Sequence, residues 1–371
     1  MKITVLTENL LPIIQEAQRF ISTRPQLPIF SGISLQTTSE GLYIRTTDMK
    51  TGYQSRVGGK VERKGETVVV GKPFVDFLST LTVGPAEITL LDTQMLEVKQ
   101  KRSTAKFQTF PFDDFPPFAN IPEKQTEIEK ETFLQLVQKT SYAAGIDEAR
   151  PVLTALHLEF SEGSIIGVCT DGYRLAIQER QVKNQEGKLE KILVQAKTLT
   201  EFARGLSRSK EKKVLLGTSS ELQEAFFSVG ETTLFLRLIE GKFPDYNAII
   251  PENFAFKIQL QCGELLSAIK TATIFARESS SIVTLRFVKG ECFVEAASSG
   301  LGENSTSLEC DYEGSEEMKI SFNSRFLSDA LSHIDGEVAL LSVNDSLKPM
   351  IIREAGKEDL HSLHVVMPFK K

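Results

Sequence analysis

Three stretches of the chain read alike: GKPFVDFLSTL at residues 71–81, AKTLTEFARGL at 196–206 and SRFLSDALSHI at 324–334. Apolar residues fall at Phe74, Phe77, Leu78 and Leu81 in the first, and at Leu199, Phe202, Ala203 and Leu206 in the second. In the third they fall at Leu327, Ala330, Leu331 and Ile334. An i, i+3, i+4, i+7 spacing lines one face of an α-helix. The charges agree as well. Asp76, Glu201 and Asp329 stand between the first two apolar positions, and Lys72, Lys197 and Arg325 precede the first by two. One amphipathic helix arises easily by chance; three with matched charges do not. The spacing predicts three copies of one helix, and so an internal repeat along the chain.

A second helix set supports the repeat. ITVLTENLLPIIQEA (3–17), TEIEKETFLQLVQKT (126–140) and KIQLQCGELLSAIKTA (257–272) each run from an alternating strand into an amphipathic helix. Leu10, Leu11, Ile14 and Ala17 match Phe133, Leu134, Val137 and Thr140, then Leu265, Leu266, Ile269 and Ala272. Stretches with the β-branched and aromatic bias of sheet lead into and follow the other helix of each set: ETVVVG and AEITLLD, KILVQA and KVLLGT, KISFNS and EVALLSV. Two proline-aromatic segments, FPPFANIPE (115–123) and FPDYNAIIPE (243–252), join successive copies. The expected fold is α+β: three similar domains, 1–124, 125–252 and 253–371, each with two helices packed on antiparallel sheets.

GVCTDGYRLAIQ (167–178) places an acid, a glycine, an aromatic and an arginine between two apolar alternating runs. Asp-Gly between such runs is a hairpin signal, because glycine accepts positive φ. Thr46–Asp48 of the first copy occupies the place of Cys169–Asp171 in the second, and the third copy has Ala-Ser-Ser there. An acid retained in one copy and lost in another reads as a fold element rather than a catalytic group.

Composition narrows the remaining classes. The 371 residues are 41% hydrophobic and 25% charged, with a formal net charge of −6. That is ordinary for a soluble globular protein and unlike a dispersed nucleic-acid coat, although a local basic face is compatible with it. Cys169, Cys262, Cys292 and Cys310 form no CxxC pair and read as packed, reduced thiols, mostly in strands. Among the histidines only His361 and His364 are near each other, and residues three apart on a strand point to opposite faces. Glu8 and Glu16 interrupt the N-terminal apolar stretch, so no signal peptide is expected, and no run reaches membrane-spanning length. No phosphate loop, dinucleotide fingerprint, zinc-protease or serine-hydrolase motif occurs. VGGKVERKGE (57–66) reads as a solvated hairpin, and Asp113 and Asp114 as solvated carboxylates. The expectation is no catalytic residue, no metal and no cofactor. The stretch 197–213 gathers Lys197, Arg204, Arg208, Lys210, Lys212 and Lys213 on and after one helix. Together with Arg19 and Arg24, such cations suit phosphate contacts that bind duplex without reading sequence.

Several short motifs then agree with the repeat. MKITV at the N-terminus, RPQLPIFSGI (24–33), TDGYRLA (170–176), GKFPDY (241–246) and VVMPF (365–369) occur in the order and spacing of one family. Over its full length the chain resembles the bacterial sliding clamps, the β subunits of DNA polymerase III. The resemblance implies a non-catalytic, cytoplasmic processivity factor: a head-to-tail homodimer closed into a ring, with helices lining a hole that encircles duplex DNA. It implies as partners the polymerase III α subunit, the clamp loader δ subunit, and other polymerases and mismatch-repair proteins, all through a short clamp-binding peptide. It implies no membrane partner.

Carried over residue by residue, the family's peptide cleft would comprise Arg150, Leu153, Thr170, Gly172, Tyr173 and Leu175. Pro244 and Ile249 would join from the linker, and Val365, Met367 and Pro368 from the C-terminal end. The resemblance assigns Arg24, Lys72 and Lys197 to DNA, where Arg204 of the basic stretch 197–213 joins them, and Phe107, Ile274 and Phe275 to the dimer interface. The chain departs from the family at Asn247–Ala248, often a basic pair, at the terminal Phe-Lys-Lys, and at the acidic Asp147. Two other readings stay open. One is a metal-dependent nuclease or phosphohydrolase using Asp171, Asp245 and the Asp113–Asp114 pair, and the other a sequence-specific DNA-binding regulator.

Overall fold

Each helix anticipated from the repeat is present. The computed structural model describes the chain except residues 23–24, 93, 123–124, 162, 183–190, 208, 252, 278–279, 313–316, 357–361 and 370–371. Its α-helices are α1 (Thr7–Ala17), α2 (Gly71–Thr80), α3 (Lys130–Ser141), α4 (Ala196–Leu206), α5 (Cys262–Ala276) and α6 (Ser324–Leu331). Burial follows the apolar spacing most fully in α4, where Leu199, Phe202, Ala203 and Leu206 are all buried. In α2 the buried face is Phe74, Val75 and Leu78, while Phe77 is half-exposed beside Phe107 at 5.7 Å. The periodicity run to Ile334 overshoots, because α6 ends at Leu331 and Ile334 lies beyond it, half-buried.

The chain forms two compact units, one of residues 1–133, 182–189 and 197–238, the other of 134–181, 190–196 and 239–371. The first unit holds a thirteen-stranded antiparallel sheet. In it Thr232–Arg237 pairs with Thr51–Val57, Leu236 opposite Thr51. The second holds a nine-stranded sheet, in which Arg174–Gln181 pairs with Ser362–Val366, and a four-stranded sheet edged by Gly302–Glu309. Backbone pairing therefore runs straight across the ends of successive copies. Strands of the expected first and second domains thus share one sheet, and strands of the expected second and third share another.

One local expectation is corrected. Lys60–Arg63 does not fold back as a free hairpin on the strand after it; it pairs antiparallel with Lys2–Leu6. Lys2 Nζ bonds Glu62 at 2.9 Å across that pair, and Gly59 lets the backbone approach, since a Cβ there would meet the Thr4 carbonyl at 2.8 Å. Cys262 opens α5 where the strand Phe256–Gln261 ends. In the second unit the core packs Leu265, Ile269 and Ala272 of α5 against Leu327, Ala330 and Leu331 of α6. All four cysteines are free thiols; three are buried and Cys310 is half-buried.

Candidate functional site

The hairpin at 170–174 is built by two side chains. Thr170 Oγ1 donates to the Arg174 carbonyl at 2.6 Å and accepts the Gly172 N–H at 3.0 Å. Asp171 Oδ1 accepts the N–H groups of Tyr173 and Arg174 at 2.9 and 3.0 Å. Gly172 takes φ +92°, the left-handed conformation that made glycine informative in the sequence. Asp171 Oδ2 accepts from Arg174 Nε at 3.0 Å, so both carboxylate oxygens are engaged in holding the turn. Asp171 is thus a fold element.

Next to this turn is a cavity of about 210 Å³. Leu153, Thr170, Gly172, Tyr173, Leu175, Pro244, Ile249, Val365 and Met367 line it, so nine of the eleven residues carried over from the resemblance are brought together. Leu175 and Val365 form a buried floor, whereas Tyr173 is 62% and Ile249 43% exposed. A hydrophobic side chain entering would find apolar walls already desolvated beneath and aromatic surface free at the rim. Met367 is tied to the turn through its N–H, which donates to the Tyr173 carbonyl at 2.9 Å. Arg150 and Pro368 do not line the cavity. Arg150 is exposed and paired with Asp147 at 3.0 Å, and Pro368 is buried.

The structure adds Arg174, Asp245 and Tyr246 to the lining. Tyr246 donates its hydroxyl to Glu159 at 3.2 Å. Arg174 is buried, and its guanidinium bonds Asp171 and Asp329 of α6. It lies 4.8 Å over the ring of Phe326 and 5.4 Å over that of Tyr142. The TDGYR motif pointed to the turn, but Asp329 is 155 residues away, so no local signal could pair it with Arg174.

Sequence models for the DNA polymerase III beta subunit match the chain end to end. The N-terminal domain model matches residues 1–122, the central domain model 127–245 and the C-terminal domain model 247–370. The chain belongs to the DNA polymerase III beta subunit family. It is 30% identical to the beta sliding clamp of Streptomyces coelicolor over 95% of this chain and 93% of that one. It superposes on the DNA polymerase sliding clamp of Bacillus subtilis with a TM-score of 0.94, at 22% identity, covering 100% of this chain and 99% of that one. A Pseudomonas aeruginosa sliding clamp solved bound to griselimycin gives a TM-score of 0.92 at 26% identity, with both chains fully covered.

The residues assigned to DNA and to the interface occupy varied settings. Lys72 and Lys197 are exposed and form no ion pair among the described residues. Each is the second residue of its helix, as is Arg325 in α6. A cation there opposes the helix dipole. Arg204 is exposed but bonds Glu201 at 2.6 Å, and Arg24, Arg208 and His361 lie outside the described residues. Phe107 lies edge-on to Phe74 at 5.6 Å. Ile274 is 52% exposed on α5, and the adjacent Phe275 packs against the core. Asp113 and Asp114 are exposed in a 3₁₀ turn. Among the described residues no three His, Cys, Asp or Glu side chains are close enough to share a metal ion. No helix among them is long and apolar enough to cross a membrane.

A pH-dependence follows from the second unit's core. His364 Nδ1 is 2.8 Å from the Tyr142 hydroxyl, whose ring stacks on His333 at 4.2 Å. Burial, with the nearby His333 and Lys139 charges, pushes the His364 pKa down to about 3. Burial lowers that of His157 as well. A histidine in the unfolded chain binds its proton near pH 6.5, so below that pH unfolding takes up a proton that the folded state refuses. Stability is full above about pH 6.5 and falls towards pH 3, by about 2 kcal/mol for His364 at pH 5. Urea unfolding of the second unit at pH 8 and pH 5 measures it. His364→Asn should flatten the difference, and equal stabilities for the parent at both pH values would refute the assignment.

Proposed function

We propose that two copies of this chain close head to tail into a ring around duplex DNA and tether a replicative polymerase to it through the 210 Å³ cleft. The observation that carries this reading is the consecutive match of all three domain models along the chain. On this reading 1–124, 125–252 and 253–371 are three domains of one architecture. The chain is a non-catalytic, cytoplasmic processivity factor that acts by topology. It has no nucleotide-binding motif, so ATP-driven ring opening falls to a separate loader, the δ subunit its contact.

Two strands have free edges that suit such closure. Gly302–Glu309 is the outermost strand of its sheet, exposed along alternate residues, and Ser103–Phe110 pairs with Gly65–Val70 only through Thr109 and Phe110. An unpaired edge invites another strand, and here Lys106, already 3.6 Å from Glu97, is opposite in charge to Glu303 and Glu309 on the other edge. Contacts between unlike surfaces close into rings when the rotation allows. Phe107, Ile274 and Phe275 belong to this interface. Lys72, Lys197, Arg204 and Arg24 would touch phosphates, and weak contacts of that kind permit sliding. The α subunit, other polymerases and mismatch-repair proteins would share the cleft.

Small-angle scattering on a size-exclusion peak tests the ring. The expected result is a dimer mass with the scattering curve of a hollow particle. A compact monomer whose mass does not rise with concentration would rule the ring out.

A further inference from the structure

We propose that the chain carries a second peptide site, related to the first by its internal repeat, which takes an extended acidic peptide through one apolar side chain. The proposal rests on reading the first cavity as a partner cleft, and it begins from a duplicated set of hydrogen bonds. Thr47 Oγ1 donates to the Thr51 carbonyl at 2.8 Å and accepts the Met49 N–H at 3.0 Å. Asp48 Oδ1 accepts the N–H groups of Lys50 and Thr51 at 3.0 and 2.7 Å. These four repeat the Thr170 and Asp171 Oδ1 bonds of the 170–174 turn; the Asp171–Arg174 side-chain bond has no counterpart, because Thr51 takes the arginine's place. The next bond recurs too: Arg237 N–H donates to the Lys50 carbonyl at 2.8 Å, as Met367 N–H does to that of Tyr173. A proline-aromatic segment, Pro116–Phe118, then encloses a cavity of about 110 Å³ against the turn, as Pro244–Tyr246 does in the first site.

The differences define the ligand. Gly52 stands where the first site has Leu175, and Phe118 fills the room: a Cβ on Gly52 would come 3.0 Å from the Phe118 ring. That ring also packs edge-on against Phe235 at 4.9 Å. About half the volume remains, enough for a single side chain. The rim also changes charge. Lys50 stands in the lining where the first site has the uncharged Tyr173, and Arg237, at the place of Met367, lies next to the lining, its N–H bonded to Lys50 and its strand position opposite Glu224; both cations are exposed. The Arg45 guanidinium lies 5.7 Å over Phe118, and Glu224, opposite Arg237 on the neighbouring strand, is the one acid in the lining among the described residues. Lys50 in the lining and Arg237 beside it, over an aromatic floor, complement carboxylates on either side of an apolar residue.

Each site has its own reporter, Met49 in one and Met367 in the other. The full chain, labelled with ¹³C on methionine methyl groups, is titrated with two probes. One is an acetylated pentapeptide of leucine flanked by two aspartates on each side. The other is a neutral peptide with glutamine and spaced leucine and phenylalanine. The expected result is that the acidic probe shifts Met49 with half-saturation at or below about 1 mM. Lys50→Glu with Arg237→Glu should weaken that response at least about tenfold while Met367 still follows the neutral probe. A Met49 signal unmoved by the acidic probe, with Met367 saturating normally, overturns the second site. So does an equal Met49 response to a lysine-flanked peptide. Silence of Met367 towards the neutral probe would instead count against the first-cleft reading.

Discussion

Arg174→Ala is expected to destabilise the second unit by about 3 kcal/mol, the typical loss when one partner of a buried ion pair is removed. Three features make this position sensitive. The guanidinium is buried, so truncation leaves a void as well as stranded charge. Asp171 is itself largely buried and would keep its two backbone N–H bonds but lose its counterion. The contacts over Phe326 and Tyr142, which link the turn to α6 and to the end of α3, would vanish. Asp329→Asn should lose less, about 1 kcal/mol, because Asp329 is one-third exposed and water can replace its pairing. Hydrogen exchange at the amides of Leu175–Gln178 reads the effect locally, and Arg174→Ala should speed it about a hundredfold. Exchange unchanged from the parent would show that the ion pairs do not hold the turn.

That network also marks where the sequence stops being legible. Local patterns were readable, because helices and tight turns are set by neighbours in the chain. The matched spacing in α2, α4 and α6 located three helices, and Asp-Gly at 171–172 located a turn whose glycine does adopt positive φ. Asp329 was visible only as an acid in a helical pattern. Its pairing with Arg174 depends on strand Ser362–Val366 docking beside Arg174–Gln181, a tertiary fact with no local trace. The same holds for Lys60–Arg63, which reads as half of a hairpin yet pairs with the first strand. Periodicity also cannot see a helix end: Ile334 continues the α6 spacing after the helix has stopped at Leu331. The cleft was legible in another way. Its lining comes from three distant stretches, and only resemblance to a family assembled them; Arg150 and Pro368 were carried along though neither lines the cavity.

Those two residues sharpen the second expectation. Tyr173→Ala and Ile249→Ala should each weaken binding of a glutamine-, leucine- and phenylalanine-bearing peptide by about 2 kcal/mol, roughly thirtyfold, as for central apolar contacts at an interface. These positions separate binding from folding. Leu175 and Val365 are buried in the floor, so truncating them would leave a cavity and unsettle the unit. Tyr173 and Ile249 are exposed, and removing surface already in contact with water costs the fold little. Arg150→Ala provides the contrast: paired with Asp147 outside the cavity, it should change affinity no more than about threefold, the range of exposed ion pairs. Fluorescence anisotropy of a labelled peptide gives all three values. If Arg150→Ala lost as much as Tyr173→Ala, the peptide would be lying outside this cavity, towards Asp147. If neither Tyr173→Ala nor Ile249→Ala weakened binding, partners would be held by another surface, and the cleft would be only the packed junction of the hairpin with the proline-aromatic segment.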